Sequence, residues 1–275
     1  MNIEYNASTN FTLWLQVLDR RFGCPWEREL IILFGFMSSG KTEFAYFLAR
    51  KNTAIGNKVV FISLELPEYD MKLRICRKRA GVSKYDFQKK KYTEQQKEIM
   101  EWTRAEIKNN RVQILEWKED KSLDNIISTI RFLNETQEMK MFIIDNLDKI
   151  AGNEREDEMS RYARITSKLQ DLKNELNLCI ILIHHANKPS KKDTYSQAGI
   201  AGMRGSQKIM DNATQVFEIY RDLDPMCSNE EKRIVEISQL KDTFEWANWF
   251  IKLMFDKGEY KEIEYNEPRK ENNPF

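Results

Sequence analysis

The segment Gly35-Phe36-Met37-Ser38-Ser39-Gly40-Lys41-Thr42 constrains this chain more than any other stretch. It follows the apolar run Leu30-Ile31-Ile32-Leu33-Phe34 and precedes a helical pattern from Thr42 to Arg50. The pattern GxxxxGK[ST] between a strand and a helix is a phosphate cradle. Its glycines let the backbone turn so that N–H groups face phosphate oxygens, and the helix N-terminus adds partial positive charge. In such a loop Gly35 through Thr42 bind a nucleoside triphosphate. Lys41 reaches the β- and γ-phosphates, and the Thr42 hydroxyl coordinates Mg²⁺. ATP and Mg²⁺ are therefore the expected ligands.

The remaining pattern supplies a fold around that loop. Short apolar runs at 58–64, 111–117, 141–145 and 178–183 read as strands, alternating with helical stretches at 124–136 and 160–176. Residues 67–110 read as charged helices broken at Gly81, and the basic run Lys89-Lys90-Lys91 reads as a solvated face. Strands alternating with helices predict an α/β fold with a mainly parallel central sheet flanked by helices. Segments 216–220, 234–240 and 249–255 add late strands. Residues 186–203 are polar and rich in Gly, Ser and Lys, hence a loop. One domain is expected over 26–265. Residues 10–22 carry helical spacing within an N-terminal linker, 1–25, and 266–275 is a flexible tail.

Two acids complete the predicted site. Asp145 ends the run Met141-Phe142-Ile143-Ile144, where a parallel sheet presents its C-terminal edge to ligand. A carboxylate there can hold the Mg²⁺ shell through water. Glu65 ends the strand through Phe61-Ile62-Ser63-Leu64, and a second carboxylate beside the γ-phosphate can align the attacking water. The chain has only two histidines, His184 and His185. They close the fourth core strand, where a polar side chain can contact the γ-phosphate and respond when it leaves.

Composition excludes several classes. The chain carries 44 Lys and Arg against 43 Asp and Glu, a net charge of +1. A surface coated with positive charge for nucleic acid is excluded, but a local basic loop is not. Four cysteines without CxxC spacing give neither a disulfide framework nor a zinc site. The N-terminal residues lack a signal-peptide pattern, and no apolar run approaches the ~18 residues of a membrane helix. A soluble cytoplasmic protein is expected.

Taken in order, the motifs resemble the DnaB-type hexameric replicative helicases, including phage primase-helicases and mitochondrial Twinkle. The resemblance runs from about residue 10 to residue 255. Its blocks are Phe34–Thr42, Ser63-Leu64-Glu65-Leu66 followed by a helix with Arg74, Ile143-Ile144-Asp145-Asn146-Leu147, His184-His185-Ala186-Asn187-Lys188-Pro189, and Met203-Arg204-Gly205-Ser206 with Asp211-Asn212-Ala213. The loop at 35–42 is shared by many families, whereas the ordered set is more specific. The resemblance implies a RecA-like fold and an ATP-driven ring that moves on or unwinds single-stranded DNA in replication. It implies that Glu65 is the catalytic carboxylate and His185 the phosphate sensor. Segments 151–160 and 188–205 would face the channel, with Lys188, Lys191, Lys192 and Arg204 on the DNA backbone.

Two departures qualify it. The family places an arginine finger in a Lys-x-Arg pattern on a late strand, and here the matching segment is Gln239-Leu240-Lys241. Lys241 would have to act as the finger from a neighbouring subunit, with a point charge in place of a planar fork. No primase or collar domain is expected ahead of the motor. The rival readings are a RecA-like ATPase that does not unwind, in recombination, repair or regulation, and a P-loop kinase, for which no arginine-rich lid is evident.

Overall fold

The computed structural model describes residues 27–109, 112–118, 120–187, 197–203, 206–243 and 249–265. Among these residues, nine strands form one sheet in the order β3-β2-β4-β5-β1-β6-β7-β8-β9. They are β1 (Glu29–Gly35), β2 (Val59–Ser63), β3 (Val112–Glu116), β4 (Met141–Asp145), β5 (Cys179–His185), β6 (Gln215–Tyr220), β7 (Ile234–Asp242), β8 (Trp249–Asp256) and β9 (Glu259–Tyr265). The first six run parallel, and the last three are added antiparallel. The helices are α1 (Lys41–Ala54), α2 (Glu68–Arg79), α3 (Lys84–Gln88), α4 (Glu94–Asn109), α5 (Leu123–Gln137), α6 (Glu158–Leu176) and α7 (Ser206–Asn212).

Alternation along each strand divides the core between the two faces of the sheet. On β1, Ile31 and Leu33 join α1, α2 and α4 in one apolar cluster. Leu30, Ile32 and Phe34 point the other way, into a cluster with α5, α6 and α7. A strand covered on both faces reads as an unbroken apolar run, as Leu30–Phe34 does. Each such side chain, buried to within 1%, contributes roughly 1.5–3 kcal/mol relative to exposure. Helix α6 starts where the Asp157 side chain accepts from the backbone N–H of Met159 and Ser160. The charged stretch after Pro67 does break near Gly81, between α2 and α3.

Strand β9 extends the sheet past the last strand expected from the sequence, which ends at residue 255. The segment Glu259-Tyr260-Lys261-Glu262 is too charged to register as a core strand, and β9 lies at the sheet edge. Its turn was the available signal. Lys257 and Gly258 both take positive φ, 49° and 81°, the geometry of a two-residue hairpin. The expected linker helix in 1–25 and the tail at 266–275 lie outside the described residues. Among the described residues no helix is long and apolar enough to cross a membrane, and Cys76, Cys179 and Cys227 are free thiols.

Candidate active site

The C-terminal ends of β1, β2, β4 and β5 meet along one edge of the sheet, because the strands are parallel and in register. Gly35 pairs with His185, and Ser63 pairs with Asp145. That edge gathers Lys41, Thr42, Glu65, Asp145 and His185, which are spread over more than a hundred positions of sequence. Open parallel sheets present ligands at this edge.

The loop after β1 requires its glycines. Gly35 has φ +151°, and a Cβ there would stand 2.3 Å from the carbonyl oxygen of Ile219 on β6. Gly40 has φ +103° and leads directly into α1. Between them Met37 and Ser38 are exposed, and Ser38 also takes positive φ. Phe36 is half-buried. Ser39 is buried, and its hydroxyl has no hydrogen-bond partner among the described residues. Lys41 is 5% exposed. Its ammonium donates to the carbonyls of Gly35 at 2.8 Å and Phe36 at 2.7 Å, so its charge is held over the loop. Burial pushes the Lys41 pKa down to about 8, against the pull of Asp145, Asp148 and Glu65, which favour the charged form.

Thr42 Oγ1 donates to Asp145 Oδ2 at 2.7 Å. Burial lifts the Asp145 pKa to about 6, although Thr42 and Lys41 favour its ionised form. A buried carboxylate bonded to a hydroxyl, together with a buried seryl oxygen three residues ahead of Thr42 that lacks a partner among the described residues, fits a hydrated cation bound together with phosphate. Among the described residues no group of three His, Cys, Asp or Glu is placed to hold a metal alone. Phosphate oxygens and water would have to complete the shell of a Mg²⁺ held by Thr42 and Asp145.

Glu65 is exposed just past β2, and the Asn146 amide donates to its Oε2 at 2.7 Å. Asn146 itself is fully buried. The carboxylate is thereby directed by the residue that follows Asp145, a link the sequence reading did not contain. His185 is part-exposed, and its Nδ1 lies 2.8 Å from Asp148 Oδ2. His184 is fully buried, with Nδ1 3.4 Å from Asp148 Oδ1 and its ring edge-on to Tyr162 at 5.0 Å. Of the two rings, His184 is enclosed and His185 is partly open to solvent. Asp148 was not singled out from sequence. It lies three residues past the strand end, in a short 3-10 turn, and only its spacing from Asp145 could have flagged it.

Arg74, on the helix after the Ser-Leu-Glu block, bonds Glu43 of α1 at 2.7 Å. It ties α2 to the helix that begins with Lys41. Lys241 is placed differently. Its ammonium donates to the carbonyls of Met210 and Ala213, so within the chain it caps the C-terminal end of α7 rather than joining Lys41 and Asp145. Lys188, Lys191, Lys192 and Arg204 lie outside the described residues.

A family profile described as DnaB-like helicase C terminal domain matches residues 12–253. The chain belongs to this family. Two curated relatives are both described as replicative DNA helicase DnaB. The protein of Treponema pallidum (strain Nichols) is 26% identical over 211 residues, 76% of this chain and 47% of that protein. The protein of Geobacillus stearothermophilus is 24% identical over 223 residues, 80% of this chain and 49% of that protein. The chain thus spans about half the length of these DnaB relatives. Among solved structures, the ATPase domain of G40P superposes with a TM-score of 0.78 at 20% identity, covering 94% of both chains. A DnaB-like replicative helicase, solved in a study of its interactions with primase, gives 0.81 at 19% identity over 93% of this chain and 64% of that one. A KaiC-like protein of Pyrococcus horikoshii OT3 gives 0.64 at 17% identity over 93% and 99%. These structural likenesses show the fold, which is the RecA-like arrangement expected from the motifs.

Proposed function

We propose that this chain is the ATP-hydrolysing motor of a DnaB-type replicative helicase, working as a hexameric ring on single-stranded DNA in the cytoplasm. One observation carries the reading: Lys41, Thr42, Asp145, Glu65 and His185 converge on one strand edge, and family membership gives the convergence its context. The triphosphate of ATP lies along residues 35–42. Lys41 leaves the Gly35 and Phe36 carbonyls to meet the β- and γ-phosphates. Thr42 and Asp145 would hold a Mg²⁺, which would supply positive charge where negative charge develops on the phosphate oxygens. Glu65, steered by Asn146, orients the water for in-line attack on the γ-phosphorus. His185 faces the departing phosphate and registers its loss.

Lys188, Lys191, Lys192 and Arg204 are the proposed contacts to the DNA backbone, as cations tracking phosphates. Lys241 is the proposed finger from the next subunit. In that role it must exchange its two α7 carbonyls for a neighbour's phosphate.

The test is ATPase rate with and without single-stranded DNA, together with particle size in MgATP. A hexamer stimulated by DNA supports the motor. A monomer indifferent to DNA refutes it and leaves a RecA-like ATPase that does not unwind.

A further inference from the structure

Three side chains converge on one carboxylate beside the candidate site. Asp148 Oδ2 lies 2.8 Å from His185 Nδ1. Its Oδ1 accepts from the Tyr162 hydroxyl at 2.5 Å and stands 3.4 Å from His184 Nδ1. The Tyr162 hydroxyl also lies 2.9 Å from Glu158 Oε1. Its single proton can go to only one carboxylate at a time, and Asp148 is the nearer. Burial would push the Asp148 pKa up, but the neighbouring His184 and His185 rings and the Tyr162 hydroxyl outweigh it and hold the carboxyl well below its usual range. It is therefore an acceptor only, and the hydrogen in the His185 contact belongs to Nδ1.

We infer that Asp148 is a positioning residue for ATP hydrolysis. Gripped by Tyr162, it holds the His185 ring by Nδ1, so that Nε2 is the nitrogen turned to the nucleotide, where it donates to a phosphate oxygen when the ring carries its second proton. This deepens the proposed function and rests on His185 being its phosphate sensor. The ring nitrogens of a histidine are distinct, and the bond made by one decides what the other presents. Three observations favour a positioning role over mere packing. Asp148 lies on the turn directly after the strand that carries Asp145. It is close enough to add to the field on Lys41. Tyr162, which holds its other oxygen, is fully buried and cannot swing away. Tyr162 also sits in the first turns of α6, directly after the 151–157 segment, so a shift at the start of that helix would be felt at the His185 ring.

The experiment uses the full chain with ¹⁵N-labelled imidazoles. Only two rings give signals, and His185→Ala assigns them by removing one. The expected spectrum has His185 protonated and hydrogen-bonded at Nδ1, and Asp148→Asn removes that bonded proton or moves the tautomer toward Nε2. An unchanged His185 tautomer in Asp148→Asn overturns the inference. In turnover, Asp148→Asn lowers kcat roughly 10- to 100-fold, the range for partners that orient a functional histidine, with little change in KM for ATP. Asp148→Glu, which keeps the carboxylate, recovers part of the loss and guards against a folding artefact. In a His185→Ala background Asp148→Asn costs nothing further, because residues acting as one unit are not additive. An equal loss in both backgrounds overturns the inference. If the unmodified chain hydrolyses no ATP, the motor reading fails, whereas the imidazole spectrum still decides the role of Asp148.

Discussion

The hydroxyl of Thr42 donates to Asp145 at 2.7 Å across 103 positions of sequence. The first residues of α1 and the end of β4 are thereby joined before any nucleotide enters. The bond places two groups of opposite hydrogen-bonding sense where a hydrated cation needs both, and it holds the carboxylate in a setting that water has largely left.

Asp145→Asn is expected to stabilise the nucleotide-free chain while abolishing Mg²⁺-dependent turnover. Its folded pKa of about 6 exceeds the unfolded value of 3.8. The folded state therefore binds the extra proton between those values, and its stability falls as pH rises through that window. Above pH 6 the buried charge costs up to about 3 kcal/mol, which the amide removes. Denaturant titration at pH 7.5 measures the gain, and a destabilised Asn variant would contradict it. By the same sign, Mg²⁺-dependent nucleotide uptake followed by calorimetry should weaken as pH falls through about 6, because the protonated carboxyl no longer serves the metal shell.

Lys41→Ala should lose nucleotide binding and turnover together. The loss in rate is expected to reach about 10² or more, the scale of a deleted charge-stabilising donor. The melting temperature should change little, because the burial that lowers the Lys41 pKa to about 8 makes its charge costly in the fold and offsets its two bonds to loop carbonyls.

Glu65→Gln should separate binding from chemistry. Nucleotide affinity is retained, since Glu65 meets Asn146 rather than Lys41 or Thr42, while kcat falls roughly 10²- to 10⁴-fold as for loss of a positioned base. Equal losses in affinity and rate would instead place Glu65 among the binding groups.

Lys241→Ala should cost roughly 1 kcal/mol of stability through the uncapped α7 carbonyls. With a site shared between subunits it should also stop turnover at temperatures where the fold is intact. A variant that melts early yet hydrolyses ATP at the parental rate would assign Lys241 to α7 alone.

Gly258→Ala tests the hairpin between β8 and β9. Its φ of +81° disfavours any side chain, and a Cβ would fall 2.6 Å from Cγ of Arg79. A loss of about 1–2 kcal/mol is expected, lowering the melting temperature by roughly 3–6 °C. A neutral substitution would mean that the turn is not formed in solution.

The parts of the fold visible in the sequence were those with one strong signal and no competitor. Leu30–Phe34 followed by the glycine loop could be placed because burial on both faces and the loop's backbone demands agree. Asp145 and Glu65 were legible as acids at strand ends. The groups that hold Glu65 and His185 were not: Asn146 and Asp148 gain meaning only once parallel pairing brings β2, β4 and β5 side by side. Lys241 rests on its family position alone. Matching it to a family position supplied a charge but no direction, and within the chain that charge turns toward a helix end. Strand β9 was hidden because its buried side chain Tyr260 stands among charged neighbours.

Tyr260 gives that last strand a role beyond closing the sheet. Its ring meets Phe44 at 5.3 Å and Phe47 at 5.1 Å, and the neighbouring Glu259 bonds Arg50, Lys51 and Arg79. The helix that presents Lys41 and Thr42 is thus braced from behind by residues near the C-terminal end of the chain. Truncation ahead of Glu259 would strip two phenylalanines of their cover and leave three cations short of a counter-ion. The outcome would be a sticky, aggregating product with a loosened nucleotide pocket rather than a trimmed but working enzyme.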